Sequence, residues 1–167
     1  AADLFSNWIN LVKNKNYRFI LEVEAHTLEN FAQRYPEVWK DITNLWKSGL
    51  IEIGNGTYSQ PYPQYYPLES NIHQFENGLI TLERLCGMKP TVYVGQEFGF
   101  TPQLPQILRG FGYRNAVHMT QNNGDVPILK EEKVLWQGKD GSIIEALPAQ
   151  TPRSEKKCGN MYFNLAV

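Results

Sequence analysis

Apolar residues recur along this chain at two different spacings, and the switches between them divide it into helices and strands. From Asp3 to Asn14, Leu4, Phe5, Trp8, Ile9, Leu11 and Val12 gather on one side of a helix. Tyr17 to Val23 is β-branched and aromatic and predicts a strand. Leu28 to Ser48 returns to the helical period through Phe31, Tyr35, Val38, Trp39, Ile42, Leu45 and Trp46. Pro36 splits it into two helices, because the residue before proline resists the α conformation. Both tryptophans are expected in the core. Gly49 ends the second helix, and Leu50-Ile51-Glu52-Ile53 forms a short strand running into Gly54-Asn55-Gly56. Leu68 to Leu85 is the longest helix, with Ile72, Phe75, Leu79, Ile80, Leu82 and Leu85 expected inside.

Thr91-Val92-Tyr93-Val94 then reads as a buried strand ending at Gly95. The next helix is expected to use Thr101 as N-cap and Pro102 as its first residue, with Leu104, Ile107, Leu108 and Phe111 on its apolar face and Gly112 closing it. Tyr113 to Met119 is a further strand. Lys133–Gln137 and Ser142–Leu147 alternate as an antiparallel hairpin with Asp140-Gly141 in the turn. Strand-helix-strand repeats with short connections predict an α/β fold with a parallel sheet and right-handed crossovers, in one domain over residues 1–167. This pattern leaves an open sheet and a barrel equally available. Either way the strand ends at Glu24, Asn55, Gln96 and His118 converge on one rim, and ligands of such folds bind beyond the carboxyl ends of the strands.

Composition narrows the partners. A net charge of −1 and a pI near 6.4 give no electrostatic case for nucleic acid or an anionic membrane. No stretch approaches the roughly 20 apolar residues of a membrane helix. Cys86 and Cys158 stand apart with no metal-type spacing. With no signal-peptide pattern, they set the expectation of a cytoplasmic protein. The chain lacks an initiator methionine, opens within a helical pattern and stops on Leu165-Ala166-Val167, so a fragment of a longer protein with further domains is expected.

Three stretches carry candidate chemistry. Glu24 and His26 follow the first strand, where they either face a ligand or cap the helix expected from Thr27. From Tyr58 to Pro67, four tyrosines and three prolines in ten residues make a stiff, flat, hydrogen-bonding surface. That surface suits a pyranose ring, although such rings also pack on their own scaffold. Third, Gln96-Glu97-Phe98-Gly99 links the central strand to its helix. Glu69 fits the dipole at the start of the long helix, and His73 reads as structural or solvated.

Phe98-Gly99-Phe100-Thr101-Pro102-Gln103-Leu104-Pro105-Gln106-Ile107-Leu108 resembles the segment that follows the catalytic strand of the family 38 glycoside hydrolases, the class II α-mannosidases. The resemblance implies a partial seven-stranded β/α barrel of the family 38/57 type, here with a small inserted hairpin. It also implies a zinc ion bound to the sugar and retaining hydrolysis of α-linked sugars through a covalent glycosyl intermediate. The family's first zinc ligands, a His-x-Asp pair, would lie upstream of this sequence. Its nucleophile, an aspartate that also binds zinc, sits two residues before the Phe of Phe-Gly, and here that position is Gln96. Tyr58 and Gln60 match contacts of a Gly-Gly-aromatic pocket segment, Glu24 falls at a strand end near the sugar, and Phe98 and His118 join the same rim. Retaining hydrolysis needs two carboxyl groups about 5 Å apart. An amide is a poor nucleophile and a poor zinc ligand. Glu97 takes over the catalytic role if the backbone has already turned at Gly95, as the strand-end glutamate of the related family 57 does. The alternatives are a sugar-binding barrel that has lost hydrolysis and a metal-dependent carbohydrate deacetylase on a related barrel.

Overall fold

A computed structural model describes residues 2–15, 18–95, 100–118, 131 and 133–147. Its elements are α1 (Ala2–Lys15), β1 (Phe19–Val23), α2 (Ala25–Arg34), α3 (Pro36–Lys47), β2 (Ile51–Asn55), a 3-10 turn (Pro63–Tyr65), α4 (Leu68–Cys86), β3 (Val92–Gly95), α5 (Leu104–Gly110), β4 (Asn115–His118), β5 (Val134–Gln137) and β6 (Ile143–Leu147). No helix among the described residues is long and apolar enough to cross a membrane.

The strands run as the alternation of elements requires. β1 and β2 pair in parallel from Phe19 opposite Ile51 to Val23 opposite Asn55. β3 and β4 pair in parallel and end level at Gly95 and His118. β2 lies against β3. Val94 and Ile20 close over Gly54 so tightly that a Cβ there would collide with Val94 Cγ2, and the Thr91 amide donates to Glu52 Oε1 at 3.3 Å. Only glycine permits that approach. Among the described residues the strands form one two-stranded and one four-stranded sheet, with no pairing that closes a ring.

The hairpin differs from a simple insertion. β5 and β6 are antiparallel, yet β6 also pairs in parallel with β4, giving the order β3-β4-β6-β5. The reason lies in its alternation. Ile144 and Ala146 turn inward while Ile143, Glu145 and Leu147 turn out, so β6 has an apolar face to lay on the core and only β5 is left at the edge.

Two apolar clusters hold the layers together. The first packs α1, α2 and α3 on β1 and β2 through Trp8, Val12, Leu28, Trp39, Ile42, Leu45, Trp46, Ile51 and Ile53. The second packs α5 on β3, β4 and β6 through Tyr93, Leu104, Leu108, Tyr113, Ala116 and Ile144. α4 spans both, with Leu82 and Cys86 in the first and Phe75 and Leu79 in the second. A side chain as fully buried as Ile42 or Leu82 contributes about 1.5–3 kcal/mol of transfer free energy. The inward stripe of α4 is Asn71, Phe75, Gly78, Leu79, Leu82 and Cys86. Ile72 and Ile80 lie off that stripe and are exposed, Ile80 by 55%, which corrects their expected place in the core. Helix α5 also starts later than expected. The Leu104 amide donates to the Thr101 carbonyl at 3.0 Å in a turn, and Gln103 is the N-cap, so Pro105 takes the position where a missing N–H costs nothing.

Candidate functional site

The carboxyl ends of β1, β2 and β3 lie side by side, and a polar network joins those of β1 and β2. Asn55, the last residue of β2, is 1% exposed and adopts a left-handed φ of 71°, a region that asparagine tolerates better than most residues. Its side chain is used at both ends. Nδ2 donates to Glu22 Oε1 of β1 at 3.1 Å, and Oδ1 accepts from the Thr57 amide at 3.3 Å and the Thr57 hydroxyl at 2.9 Å. Its carbonyl accepts from the buried Tyr113 hydroxyl. Five residues on, Gln60 is also left-handed, with φ 46°, and its Nε2 donates to the same Glu22 Oε1. Two non-glycine residues in a sparsely populated conformation therefore aim their amides at one carboxylate oxygen. Such conformations cost on the order of 1 kcal/mol each and persist where the surroundings over-determine them.

The surroundings here are tightly set. Gly56 has φ 87°, and a Cβ on it would meet the Tyr113 hydroxyl and lie 2.7 Å from Pro90 Cγ. Gly78 of α4 touches the backbone of Gly56, Thr57 and Tyr58. The Ala25 and His26 amides of α2 donate to the Thr57 and Tyr58 carbonyls at 2.9 Å, and the Tyr58 amide donates to the Gln74 carbonyl at 2.9 Å. Gln74 Oε1 accepts from the Ser59 amide at 2.9 Å, and buried Asn71 Nδ2 donates to the Pro63 carbonyl at 2.8 Å. The segment from Asn55 to Pro63 is thus bolted between two helices.

Beneath it lies a cleft of about 360 Å³, open mouth included, lined by Asn55, Thr57, Gln60, Pro61, Pro63, Asn71, Gln74, Phe75, Tyr93 and Leu104. Burial, and secondarily the charge of Glu22, pushes the Tyr93 phenol well above its ordinary value of 10.0, so at neutral pH it is a neutral donor or acceptor.

The expected site residues separate into three groups. Gln60 stands in the cleft wall and joins Asn55 and Glu22. Glu24 and Tyr58 lie on the α2 side. Glu24 is the N-cap residue of α2 and accepts from the Thr27 hydroxyl, which places Thr27 inside the helix rather than at its start. Tyr58 packs on the first core cluster, meets the exposed His26 ring at a tilt with centroids 5.4 Å apart and donates to Glu29 Oε2 at 3.5 Å. Gln96, Glu97 and Phe98 lie outside the described residues. His118 ends β4 opposite Gly95, and its side chain lies outside them too.

Sequence reading chose Glu24 and passed over Glu22, Asn71 and Gln74. For Glu22 a signal existed: it is the one charged residue of Phe19–Val23 and shares the parity of Ile20, so it interrupts an otherwise apolar strand face. Asn71 and Gln74 carried none, because polar residues in the first turns of a helix are ordinary. Among the described residues no three of His, Cys, Asp and Glu gather closely enough to hold a metal ion.

Several known proteins are similar to this chain in sequence or fold. α-Mannosidase G of Dictyostelium discoideum is 28% identical over 135 residues, covering 79% of this chain and 12% of that protein. Human α-mannosidase 2C1 is 25% identical over 142 residues, covering 83% and 14%. The chain therefore spans about an eighth of the length of these relatives. Among solved structures, an α-mannosidase from Enterococcus faecalis V583 superposes with a TM-score of 0.68 at 19% identity, over 87% of this chain and 17% of that one. The sequence pattern of the N-terminal domain of the glycosyl hydrolases of family 38 matches residues 1–164, and the chain belongs to that family.

Proposed function

We propose that the chain is part of an α-mannosidase-like glycoside hydrolase, with its strands forming one side of a β/α barrel whose rim holds an α-linked sugar. The observation that carries this reading is the family match across residues 1–164, and the polar network at the ends of β1 and β2 supports it. A retaining reaction requires a carboxylate to attack the anomeric carbon as the glycosidic bond breaks and the leaving oxygen takes a proton from a second carboxyl group. Water then releases the sugar. Glu97 is the candidate nucleophile, since Gln96 carries no charge and the acid beside it lies at the same strand-to-helix junction. No step is assigned to zinc, because among the described residues no three of His, Cys, Asp and Glu gather closely enough to hold it.

One observation favours a second reading. The amide at position 96 suits a barrel that binds sugars without cleaving them. Hydrolysis of an aryl α-mannoside by the full chain, beside the Glu97→Gln and Gln96→Asp variants and with and without added zinc, separates the two. Loss of turnover in a folded Glu97→Gln variant supports the hydrolase. An inert parent that gains activity on Gln96→Asp overturns it in favour of the sugar-binding protein.

A further inference from the structure

Of the two buried tyrosines beside the site loop, one has a hydroxyl that the fold does not use. The Tyr113 hydroxyl donates to the Asn55 carbonyl. Tyr93 of β3 is also enclosed, at 7% exposure, and its ring packs on Phe75 at 5.9 Å and edge-on to Tyr113 at 6.4 Å. Among the described residues nothing hydrogen-bonds the Tyr93 hydroxyl, which is not sealed in the core but opens on the cleft. Phenylalanine would keep both ring contacts, so packing does not account for an oxygen there. A buried hydroxyl without a partner costs free energy that a ligand bonding to it recovers.

Two amides of α4 line the same cleft with one end each in reserve. Asn71, 4% exposed, spends Nδ2 on the Pro63 and Tyr66 carbonyls at 2.8 and 3.4 Å. Gln74 spends Oε1 on the Ser59 amide and hydroxyl at 2.9 and 3.1 Å. Asn71 Oδ1 and Gln74 Nε2 have no partner among the described residues. The cleft thus offers an acceptor, a donor and a hydroxyl able to act as either, beside the apolar surfaces of Phe75 and Leu104. None of its described lining residues is charged. That combination matches a neutral sugar, whose hydroxyls donate and accept and whose C–H faces are apolar. It does not match a phosphate, a carboxylate or an ammonium group, each of which needs an opposite charge when taken out of water.

We propose that Tyr93 is a substrate-contacting residue whose hydroxyl, together with Asn71 Oδ1 and Gln74 Nε2, selects a neutral sugar by bonding one of its ring hydroxyls in the cleft. The inference rests on the sugar-binding reading above, whether or not the sugar is hydrolysed. Its consequence is specificity, because a sugar that lacks the matched hydroxyl leaves the buried phenol unpaired.

The test pairs the hydroxyl removed from the protein with the hydroxyl removed from the sugar. Binding of methyl α-mannoside and of its 2-, 3-, 4- and 6-deoxy analogues is measured by calorimetry on the full chain and on Tyr93→Phe, beside thermal unfolding of both. Tyr93→Phe is expected to bind methyl α-mannoside about fivefold more weakly, the size of one neutral hydrogen bond, with a melting temperature no lower than the parent's. One deoxy analogue is expected to lose a similar factor on the parent and to bind parent and variant alike, which a merely structural role for Tyr93 would not produce. If Tyr93→Phe binds the mannoside as the parent does, or weakens every deoxy analogue equally, the proposal falls while the sugar-binding reading stands. A melting temperature lowered by Tyr93→Phe would also overturn it, since the hydroxyl would then serve the fold. If the parent binds none of these sugars, both fall together. Should Tyr93→Phe not fold, nuclear Overhauser contacts in the parent decide: contacts from the bound mannoside to the Phe75 ring and Leu104 methyls support the proposal, and a bound mannoside without them overturns it.

Discussion

Replacing Gly78 by alanine tests how firmly the site loop is held. In most helix interiors this change is stabilising by about 0.5–1 kcal/mol, since alanine loses less backbone entropy on folding. Here the new methyl would fall on the Gly56 carbonyl oxygen and lie 2.7 Å from the Thr57 carbonyl carbon and 2.8 Å from the Tyr58 nitrogen. All three are backbone atoms in a segment pinned on both sides, by Thr57 and Tyr58 carbonyls bonded to α2 and by the Tyr58 amide bonded to α4. A flexible side chain would swing aside, whereas this backbone must move with its hydrogen bonds. Overpacking costs about 1–3 kcal/mol, and a backbone neighbour places Gly78 at the upper end, so the net loss is about 2 kcal/mol. For a domain of this size that lowers the melting temperature by about 4–8 °C. The contrast is Gly110, which has no neighbour within 4 Å of a built Cβ and no positive φ; Gly110→Ala is expected to be neutral or mildly stabilising. Thermal unfolding of both variants, followed by circular dichroism, is the assay. If Gly78→Ala melts at or above the parent while Gly110→Ala does not differ from it, α4 does not clamp the loop and the account of the site's rigidity is wrong.

Two further outcomes follow from the buried tyrosines. Tyr113→Phe leaves the Asn55 carbonyl without its donor and is expected to destabilise the fold by about 1–3 kcal/mol and to weaken sugar binding as Asn55 relaxes; an unchanged denaturant midpoint would count against it. Burial raises the phenols of Tyr93 and Tyr113 above 10.0, so the unfolded chain releases these protons first as pH rises. Their contribution is intact below pH 10 and is lost above it, at about 1.4 kcal/mol per pH unit for each group until the folded value is reached. Urea midpoints measured upward from pH 9, compared with those of a Tyr93→Phe variant, check this; a parent whose alkaline slope equals the variant's refutes it.

The sequence by itself determined the elements and their order, because periodicity is a local property that apolar spacing, Pro36, Gly49 and Gly87 write directly into the chain. It also exposed the junction after β3 and the departure at Gln96, since those rest on residue identity and order alone. Tertiary structure decided what periodicity cannot carry. Ile72 and Ile80 fit a helical stripe, but which stripe of α4 faces inward depends on where Gly78 meets the loop. Ser142–Leu147 reads as half of a hairpin, and its parallel pairing with β4 comes from a strand distant in sequence. Glu24 and Glu22 are two residues apart and chemically alike; one is tied to Thr27 of its own helix and the other is met by amides from residues 33 and 38 positions away. A carboxylate's role is set by the donors that reach it, and those are fixed by strand register and by the left-handed turns at Asn55 and Gln60, which no local pattern announces.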